Sequence, residues 1–288
     1  MLVDKPAGKT SHDIVQHVRR ALGIRAAGHT GTLDPFATGL LVVLVGRATR
    51  LARFVEAQPK TYFATGRLGI RTTTDDLTGD VIGSESAALL PETLVRDTLA
   101  RFLGTQAQRP PQFSAKRVGG ERSYRKARRG EAVELADVDI TVHAIALVAY
   151  RPPEFDFRVT VSPGTYVRAI ARDLGEQLGI GSHLTRLRRE AIGSLRVESA
   201  VSLDRLSPAA LIPPRGVLAD LPAVELDEAG RNDVAHGRAV VDSGAAGRVP
   251  SGRMDSGADV ALLAAGELVA MARAENGWLH PTVVLAGK

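Results

Sequence analysis

The longest run made only of large aliphatic residues in this 288-residue sequence is Leu40–Val45, which is six residues long. A helix needs about 20 apolar residues to cross a bilayer, so this run is too short for a membrane span and favours a buried strand. The segment before it, Gly28–Gly39, contains three glycines, one proline and a single carboxylate, Asp34. We therefore expect Leu40–Val45 to be an internal strand of the fold, with the carboxylate of Asp34 shortly before it.

The composition is that of a soluble globular protein with room for one large domain, or for one large and one small domain. The sequence has no cysteine, which excludes disulfides, thiolate metal sites and cysteine nucleophiles together. The N-terminal residues Met1–Lys5 lack the basic and apolar segments of a signal peptide. We therefore expect a cytoplasmic protein with no membrane partner.

Charge is distributed unevenly along the chain. The net charge is +5, but the residues from Leu221 onward carry six Lys/Arg against nine Asp/Glu, a net of −3, which leaves +8 on residues 1–220. The proline-rich stretch Pro208–Pro222 predicts a boundary between domains at 1–216 and 221–288. A basic domain suits a polyanion such as nucleic acid, but many basic domains bind nothing anionic, so charge alone does not decide.

Capping residues and apolar spacing predict the main elements. Thr10 and Asp13 are spaced as in a capping box, and Gly23 can end the helix that follows them. Thr165 is a natural N-cap for a helix after the turn Ser162–Gly164. The other predictions are strands at Leu40–Val45, Thr61–Leu68 and Phe155–Val161, helices at Pro91–Leu103 and about Asp227–His236, and a hairpin turn at Asn276–Gly277.

Asp34 is the first candidate for chemistry. Glycines let the backbone approach a ligand closely, and Pro35 fixes the turn that would aim the carboxylate. One alternative is an ordinary Asp-Pro turn without a chemical role. Another is the phosphorylated aspartate of an ion pump, but there the aspartate precedes the Thr-Gly-Thr, whereas here His29 occupies that side.

Arg168 and Tyr62 are the next candidates. Arg168, shortly after the Ser162–Gly164 turn, could pair with a buried carboxylate, hold it ionised and lower its pKa. Tyr62, at the start of a predicted strand, could stack on a base or accept a proton. The alternatives are a surface arginine on an amphipathic helix and a tyrosine that serves only packing.

The segment Lys116–Arg129 has a net charge of +6, which exceeds the net charge of +5 on the whole chain. Its glycines and Tyr124 favour a flexible loop that grips RNA, although such a run can also be a solvated face. The histidines and carboxylates show no metal-site spacing, and no phosphate-binding loop or serine-triad motif is present. The seven basic residues of this segment, Lys116–Arg129, are Lys116, Arg117, Arg122, Arg125, Lys126, Arg128 and Arg129.

Several short motifs follow one another along the chain: Asp4–Gly8, Gly28–Pro35, Lys60–Tyr62, Arg67–Gly69, Pro110–Ala115, Gly164–Arg168 and Leu187–Arg189. Each motif alone could arise by chance, but their order and spacing together are specific. Taken in order, they resemble the bacterial tRNA pseudouridine synthase B family over most of residues 2–205.

The resemblance implies an isomerase that flips out the uridine at position 55 of the tRNA T-loop and converts it to pseudouridine. Asp34 would be the nucleophile, Arg168 its ion-pair partner, and Tyr62 the residue that stacks on the base and can accept its C5 proton. The other implied substrate contacts are His29, Tyr166 and Leu187 at the flipped nucleotide. Contacts to the RNA backbone are expected from Lys116, Arg117, Arg125 and Arg129.

The expected fold is an α/β domain on a mixed, largely antiparallel sheet, plus a small C-terminal β-barrel where the family carries its PUA domain. The net charge of −3 makes that module an accessory contact to RNA at most. The chemistry is neither redox nor phosphoryl transfer, so neither a cofactor nor a metal is expected. The partner would be the T-stem-loop of tRNA and the protein a monomer. An alternative from another class is a chaperone that refolds tRNA without catalysis.

Overall fold

The computed structural model describes residues 1–87, 90–113, 117–118, 121–122, 129, 135–241 and 255–285, with only the backbone at 117–118 and 121–122. The helices are α1 Ser11–Leu22, α2 Ala52–Glu56, α3 Glu92–Ala100, α4 Val167–Gln177 and α5 Glu228–Ala235. The strands are β1 Leu2–Lys5, β2 Ala27–Thr30, β3 Thr38–Val45, β4 Lys60–Leu68, β5 Ile70–Thr72, β6 Val81–Ser84, β7 Gly104–Gln108, β8 Arg117–Val118, β9 Glu121–Arg122, β10 Val138–Arg151, β11 Glu154–Val161, β12 Ser182–Ile192, β13 Leu195–Arg196, β14 Ala223–Glu225, β15 Val240–Val241, β16 Asp259–Ala264, β17 Glu267–Glu275 and β18 Trp278–Val284.

Nine strands form a mixed, largely antiparallel sheet, as the sequence predicted. Their order is β1-β3-β12-β4-β11-β10-β7, with β2 paired to β3 and β13 paired to β12. Strands β3 and β12 run parallel. Alternate residues of β3 enter two different cores: Leu40 and Val42 pack towards α2, and Leu41 and Val43 pack towards α1. Both faces of this strand are covered, which explains why its apolar run is continuous rather than alternating.

Most of the local predictions are confirmed. Helix α1 begins with the capping box of Thr10 and Asp13 and ends at Gly23 with φ 65°. Residues Asn276 and Gly277, both at positive φ, join β17 to β18, as expected for a two-residue hairpin turn. The prediction that Thr165 is an N-cap is wrong. Its hydroxyl donates to the Ser162 carbonyl at 2.9 Å, and helix α4 begins at Val167, after Tyr166.

The C-terminal residues form a second sheet in the order β14-β16-β17-β18-β15. Among the described residues, no pairing joins β14 to β15 at the two edges. The described part is therefore an open five-stranded sheet rather than the closed barrel that was expected. Its inner side shares a core with the first domain, where Met271 and Val283 pack with Leu40 and Phe54. Val217 and Leu218 of the proline-rich stretch are buried in that same core, so this stretch is packed rather than extended.

Candidate active site

A cavity of about 250 Å³ opens where five parts of the first domain meet. They are the glycine-rich segment before β3, the adjacent strands β4 and β12, the end of β11 with the turn after it, and the start of α4. Val161, Val167 and Leu187 supply apolar surface, while Asp34, Tyr62 and Arg168 supply polar groups. The other lining residues are Gly31, Thr32, Leu33, Lys60, Ser162, Gly164, Thr165, Tyr166 and Arg189.

Two constraints hold Asp34 at this cavity. The N–H of Leu33 donates to the hydroxyl of Ser11 at 2.9 Å, and that hydroxyl donates to the Leu33 carbonyl at 3.2 Å, which ties the residue before Asp34 to α1. Gly39 has φ 102°, and a Cβ there would lie 2.3 Å from the carbonyl oxygen of Arg189, so only glycine lets β3 approach β12. The Asp34 side chain stays 34% exposed, because it faces the cavity instead of the core.

Arg168 from α4 meets the Asp34 carboxylate. Its Nε lies 3.0 Å from Oδ2 of Asp34, and its Nη2 donates to Oδ1 at 3.4 Å. Nε finds no hydrogen-bond acceptor among the described residues, so its 3.0 Å contact is an ion pair without an aligned N–H. The arginine itself is only 5% exposed. The carboxylate at the edge of the cavity is therefore paired with a buried guanidinium.

Asp76 and Thr74 hold Arg168 from the other side. Nη1 of Arg168 lies 3.2 Å from Oδ2 of Asp76 and donates to the Thr74 carbonyl at 2.7 Å. The second carboxylate oxygen of Asp76 accepts three hydrogen bonds, from the hydroxyl of Thr74 and from the N–H and hydroxyl of Thr78. The guanidinium thus lies between two carboxylates, one facing the cavity and one fully enclosed.

Burial dominates the electrostatics of Asp34. It raises the pKa of this carboxyl, and the nearby charge of Asp76 raises it further, while Arg168 and Lys5 oppose the shift. The expectation that Arg168 would leave Asp34 with a lowered pKa is therefore wrong in its net direction. The arginine acts in the expected sense, but desolvation is the larger effect.

Three further cations surround the site. Burial lowers the pKa of both Lys5 and Lys60 to about 8, and the charge of Arg189 contributes at both. Backbone carbonyls compensate these charges: Nζ of Lys60 donates to Glu56 and Gln58, and Nε of Arg189 donates to Leu40. All three cations lie in motifs of the family resemblance, but burial among backbone carbonyls is not visible in a sequence, so the motifs alone indicated no role for them.

The structure brings together some of the residues proposed from sequence and not others. Asp34, Tyr62, Tyr166, Arg168 and Leu187 all line the one cavity. His29 lies on β2 with a buried Nδ1 that lacks a described partner, and it is not among the lining residues. Lys116 and Arg125 fall outside the described residues, as does the side chain of Arg117, and Arg129 is exposed in a turn.

Two residues that hold Arg168 were not identified from the sequence. Asp76 and Thr74 belong to a turn at residues 72–80 that is rich in threonine and aspartate, but its composition alone indicates no role at the site. Across the described part of the chain, no group of three or more His, Asp or Glu side chains could hold a metal ion. No described helix is long and apolar enough to cross a bilayer.

Known proteins share both the sequence and the fold. Residues 19–167 match the TruB family pseudouridylate synthase N-terminal domain, and residues 168–218 match the tRNA pseudouridylate synthase B C-terminal domain. The tRNA pseudouridine synthase B of Thermobifida fusca (strain YX) is 42% identical over 297 residues, which cover 100% of this chain and 98% of that protein. The protein of the same name from Arthrobacter sp. (strain FB24) is 41% identical over 294 residues, covering 99% and 96%.

A solved structure extends the likeness to the fold. It is described as an H/ACA RNP bound to a substrate RNA containing 2′-deoxyuridine. It aligns with a TM-score of 0.76 at 24% identity over 99% of this chain and 85% of that one. This likeness shows that the chain shares the fold of that protein. With its matched domains and full-length relatives, the chain belongs to the TruB family of pseudouridylate synthases.

Proposed function

We propose that this protein is a tRNA pseudouridine synthase that isomerises the T-loop uridine at position 55, with Asp34 as its nucleophile. One observation carries the assignment of Asp34: it is the one carboxylate among the residues lining the 250 Å³ cavity, and it is paired there to a buried arginine. The full-length relatives are named tRNA pseudouridine synthase B, which supports the activity on tRNA.

The reaction needs one carboxylate rather than two. Its N1–C1′ bond breaks, the uracil turns, and a C5–C1′ bond forms, while C5 loses a proton and N1 gains one. Glycoside hydrolases use a second carboxylate because water must attack, whereas here the detached base must be retained. Asp34 can attack the sugar, add to the base or remove a sugar proton. A nucleotide bound in the cavity would cover the exposed part of its side chain and keep water away from the reacting atoms.

The other lining residues suit a flipped pyrimidine. Tyr62 offers a face for stacking and a hydroxyl for the C5 proton, while Leu187 and Tyr166 supply further surface against the nucleotide. Flipping costs roughly a few kcal/mol, which contacts to the RNA backbone must offset. We assign those contacts to the basic segment Lys116–Arg129, with His29 near the path of the nucleotide.

The remaining assignments concern partners and place. The T-stem-loop of tRNA is the substrate, and the protein acts as a monomer in the cytoplasm. Residues 1–216 form the synthase domain, and residues 221–288 form a PUA-like module. Its net charge of −3 makes this module an accessory contact to RNA.

Asp34→Asn tests the nucleophile directly. We expect the pseudouridine yield in a T-stem-loop RNA, measured by nucleoside chromatography with mass spectrometry, to fall at least about 10⁴-fold. Binding of the RNA should persist, because the amide keeps the shape of the side chain. Asp97→Asn, on the exposed side of α3, is the matched control and should retain full turnover. Substantial conversion by Asp34→Asn would reject the assignment.

A second, separable function is the folding of tRNA. The net charge of +8 on residues 1–220 favours contacts along the RNA backbone beyond the single flipped nucleotide. If this role is independent of catalysis, Asp34→Asn should still accelerate the folding of a misfolded tRNA, measured by a fluorescent reporter in the RNA. Loss of both functions in this variant would show that folding depends on the chemistry.

A further inference from the structure

A second arginine lies one helical turn after Arg168. Arg172, at position i+4 from Arg168 on α4, is 17% exposed in its side chain. Its Nη1 lies 3.0 Å from Oδ2 of Asp75, its Nη2 donates to the carbonyl of Arg109 at 2.9 Å, and its Nε donates to Asp173 at 2.8 Å. All three parts of the guanidinium are thus engaged.

Arg172 and Arg168 bind the same two segments. In the turn between β5 and β6, Arg168 contacts Thr74 and Asp76 while Arg172 contacts Asp75, the residue between them. In the segment just before the basic segment Lys116–Arg129, Arg168 donates to the carbonyl of Phe113 and Arg172 donates to the carbonyl of Arg109. The two arginines therefore form parallel connections from one helix to both segments.

Asp75 is held in an unusual conformation. It has φ 59°, the left-handed region that residues other than glycine adopt infrequently. Its carbonyl accepts from the N–H of Leu184 on β12 at 3.0 Å, and its side chain accepts from Arg172. This geometry aims the Thr74 carbonyl and the Asp76 carboxylate at Arg168 from the positions on either side of Asp75.

We propose that Arg172, with Asp75, is a positioning residue for the isomerisation: it fixes the Thr74–Asp76 turn and the Arg109–Phe113 segment against α4, and so sets the geometry with which Arg168 meets Asp34. This inference rests on the proposed role of Asp34. Arg172 does not line the 250 Å³ cavity, so its effect passes through Arg168. The competing interpretation is a plain structural ion pair, which would support stability alone.

The two interpretations differ in the pH dependence of turnover. The charged groups that face Asp34 are Arg168 from α4, Asp76 from the turn after β5, and Lys5 from β1. Arg168 opposes the burial that raises the pKa of Asp34, so a displaced Arg168 would let this pKa rise further. The acidic limb of kcat/KM would then move to higher pH, whereas a loss of stability alone would leave it in place.

The experiment compares Arg172→Gln, Arg172→Lys, Asp75→Asn and the double variant Arg172→Gln/Asp75→Asn on a T-stem-loop RNA. We expect kcat to fall about 10²-fold in Arg172→Gln, with little change in KM and with the acidic limb moved up. Arg172→Lys should recover part of the loss, because lysine keeps the charge beside Asp75 but cannot bind all three partners. The double variant should be no worse than the poorer single variant, since either substitution alone already breaks the ion pair between Arg172 and Asp75.

Arg151→Gln is the matched control. It removes an arginine from Asp156, whose side chain is 11% exposed against 15% for Asp75, and neither Arg151 nor Asp156 lines the cavity. The match concerns the aspartates, because the side chain of Arg151 is 66% exposed against 17% for Arg172. This variant should lose stability without moving kcat or the acidic limb. Melting temperatures of all variants keep the comparison valid, and the isosteric Asp75→Asn replaces Arg172→Gln should the latter fold poorly.

Each outcome decides the matter. A fall in kcat with a shifted acidic limb supports the proposal. A kcat within twofold of the Arg151→Gln control, a fall that only tracks melting temperature, or a rise in KM alone overturns it. The proposed function fails separately, through an inactive parent protein or an active Asp34→Asn, whatever the Arg172 variants do.

Discussion

The cavity in the first domain and the core of the C-terminal sheet are built on opposite principles. Around the cavity, Lys5, Lys60, Asp76, Arg168 and Arg189 are all buried charged residues. In the C-terminal sheet, across described residues 223–241 and 255–285, every buried side chain is apolar and none of the charged residues is buried. One protein thus contains a charged interior and an apolar interior side by side.

The difference separates what supports function from what supports folding. Burying a charge costs free energy that a partner only partly returns, so an apolar core is the more favourable way to make a stable domain. The cavity retains its charges although they lower stability, which is common at sites selected for activity. We therefore expect substitutions at the cavity to lower turnover by more than their loss of stability explains. Substitutions in the C-terminal core should lower stability and leave the turnover of the folded protein unchanged.

Removal of Arg168 should give the largest effect. Arg168→Met leaves Asp76, which is only 5% exposed, as a buried charge without its cation, at a cost of about 3–5 kcal/mol in the free energy of unfolding. Turnover should be lost as well, because Asp34 loses its partner. Urea unfolding measures the first effect and the stem-loop assay the second.

A second substitution sharpens this test. Arg168→Met/Asp76→Asn removes the charge that was left unpaired, so it should regain most of the lost stability while remaining inactive. Circular dichroism would show whether inactivity in the single variant is due to unfolding. An active double variant would mean that Arg168 matters only as the partner of Asp76.

Leu262→Ala should give the mirror image in the C-terminal sheet. Leu262 is fully buried among apolar neighbours on β16, so its truncation should cost about 2–5 kcal/mol. The folded fraction should keep the kcat of the parent protein, because the residue is remote from the cavity. A specific fall in kcat under fully folded conditions would contradict the division between the two interiors.

The sequence predicted the apolar packing of α1 and β3 in the first domain better than the charged cavity. The bounds of α1 and the end of β3 follow from capping residues and apolar spacing, which act locally, although β3 begins at Thr38 rather than at the predicted Leu40. The wrong N-cap at Thr165 shows the limit of this approach, since its hydroxyl is used by the turn at Ser162. A competing local hydrogen bond of this kind leaves no mark in composition or periodicity.

The cavity was predictable in its motifs but not in its balance of charge. Asp34 and Arg168 are 134 positions apart, and only the family resemblance indicated that they meet. The role of Asp76 required knowing that the turn after β5 folds back on α4. The net direction of the Asp34 pKa depended on burial, which sequence does not specify.

The buried lysines predict a smaller, pH-dependent effect. The pKa of Lys60 is lowered to about 8, against an ordinary value near 10.4, so between these two values the unfolded chain binds more protons than the folded one. Stability from this group therefore rises with pH in that window, at a limit of about 1.4 kcal/mol per pH unit. Lys60→Met does not bury this charge, so it should be more stable than the parent protein at pH 8. This difference in stability should shrink as pH rises from 8 to about 10.4.

The comparison between variants isolates this effect. Lys5 titrates in both proteins, so its contribution cancels. Lys9→Met, at a partly exposed position, is the control and should keep a constant difference from the parent protein. Urea unfolding at a series of pH values gives the measurement, and a difference for Lys60→Met that stays flat above pH 8 would show that the lysine is already neutral or well solvated.

The smallest effect concerns which of the two domains meets RNA. The basic residues at 125–129 lie outside the described residues except for exposed Arg129, and we predict that neutral substitutions across Arg125–Arg129 flatten the salt dependence of RNA binding. For every phosphate that the variant no longer neutralises, the log–log slope should become shallower by about 0.7–0.9. The matched set is Arg231→Gln, Arg238→Gln and Arg273→Gln, all exposed in the acidic C-terminal module. If that set flattens the slope and the first does not, the C-terminal module is the principal RNA contact, because counterion release follows the cations that touch phosphate and not the net charge around them.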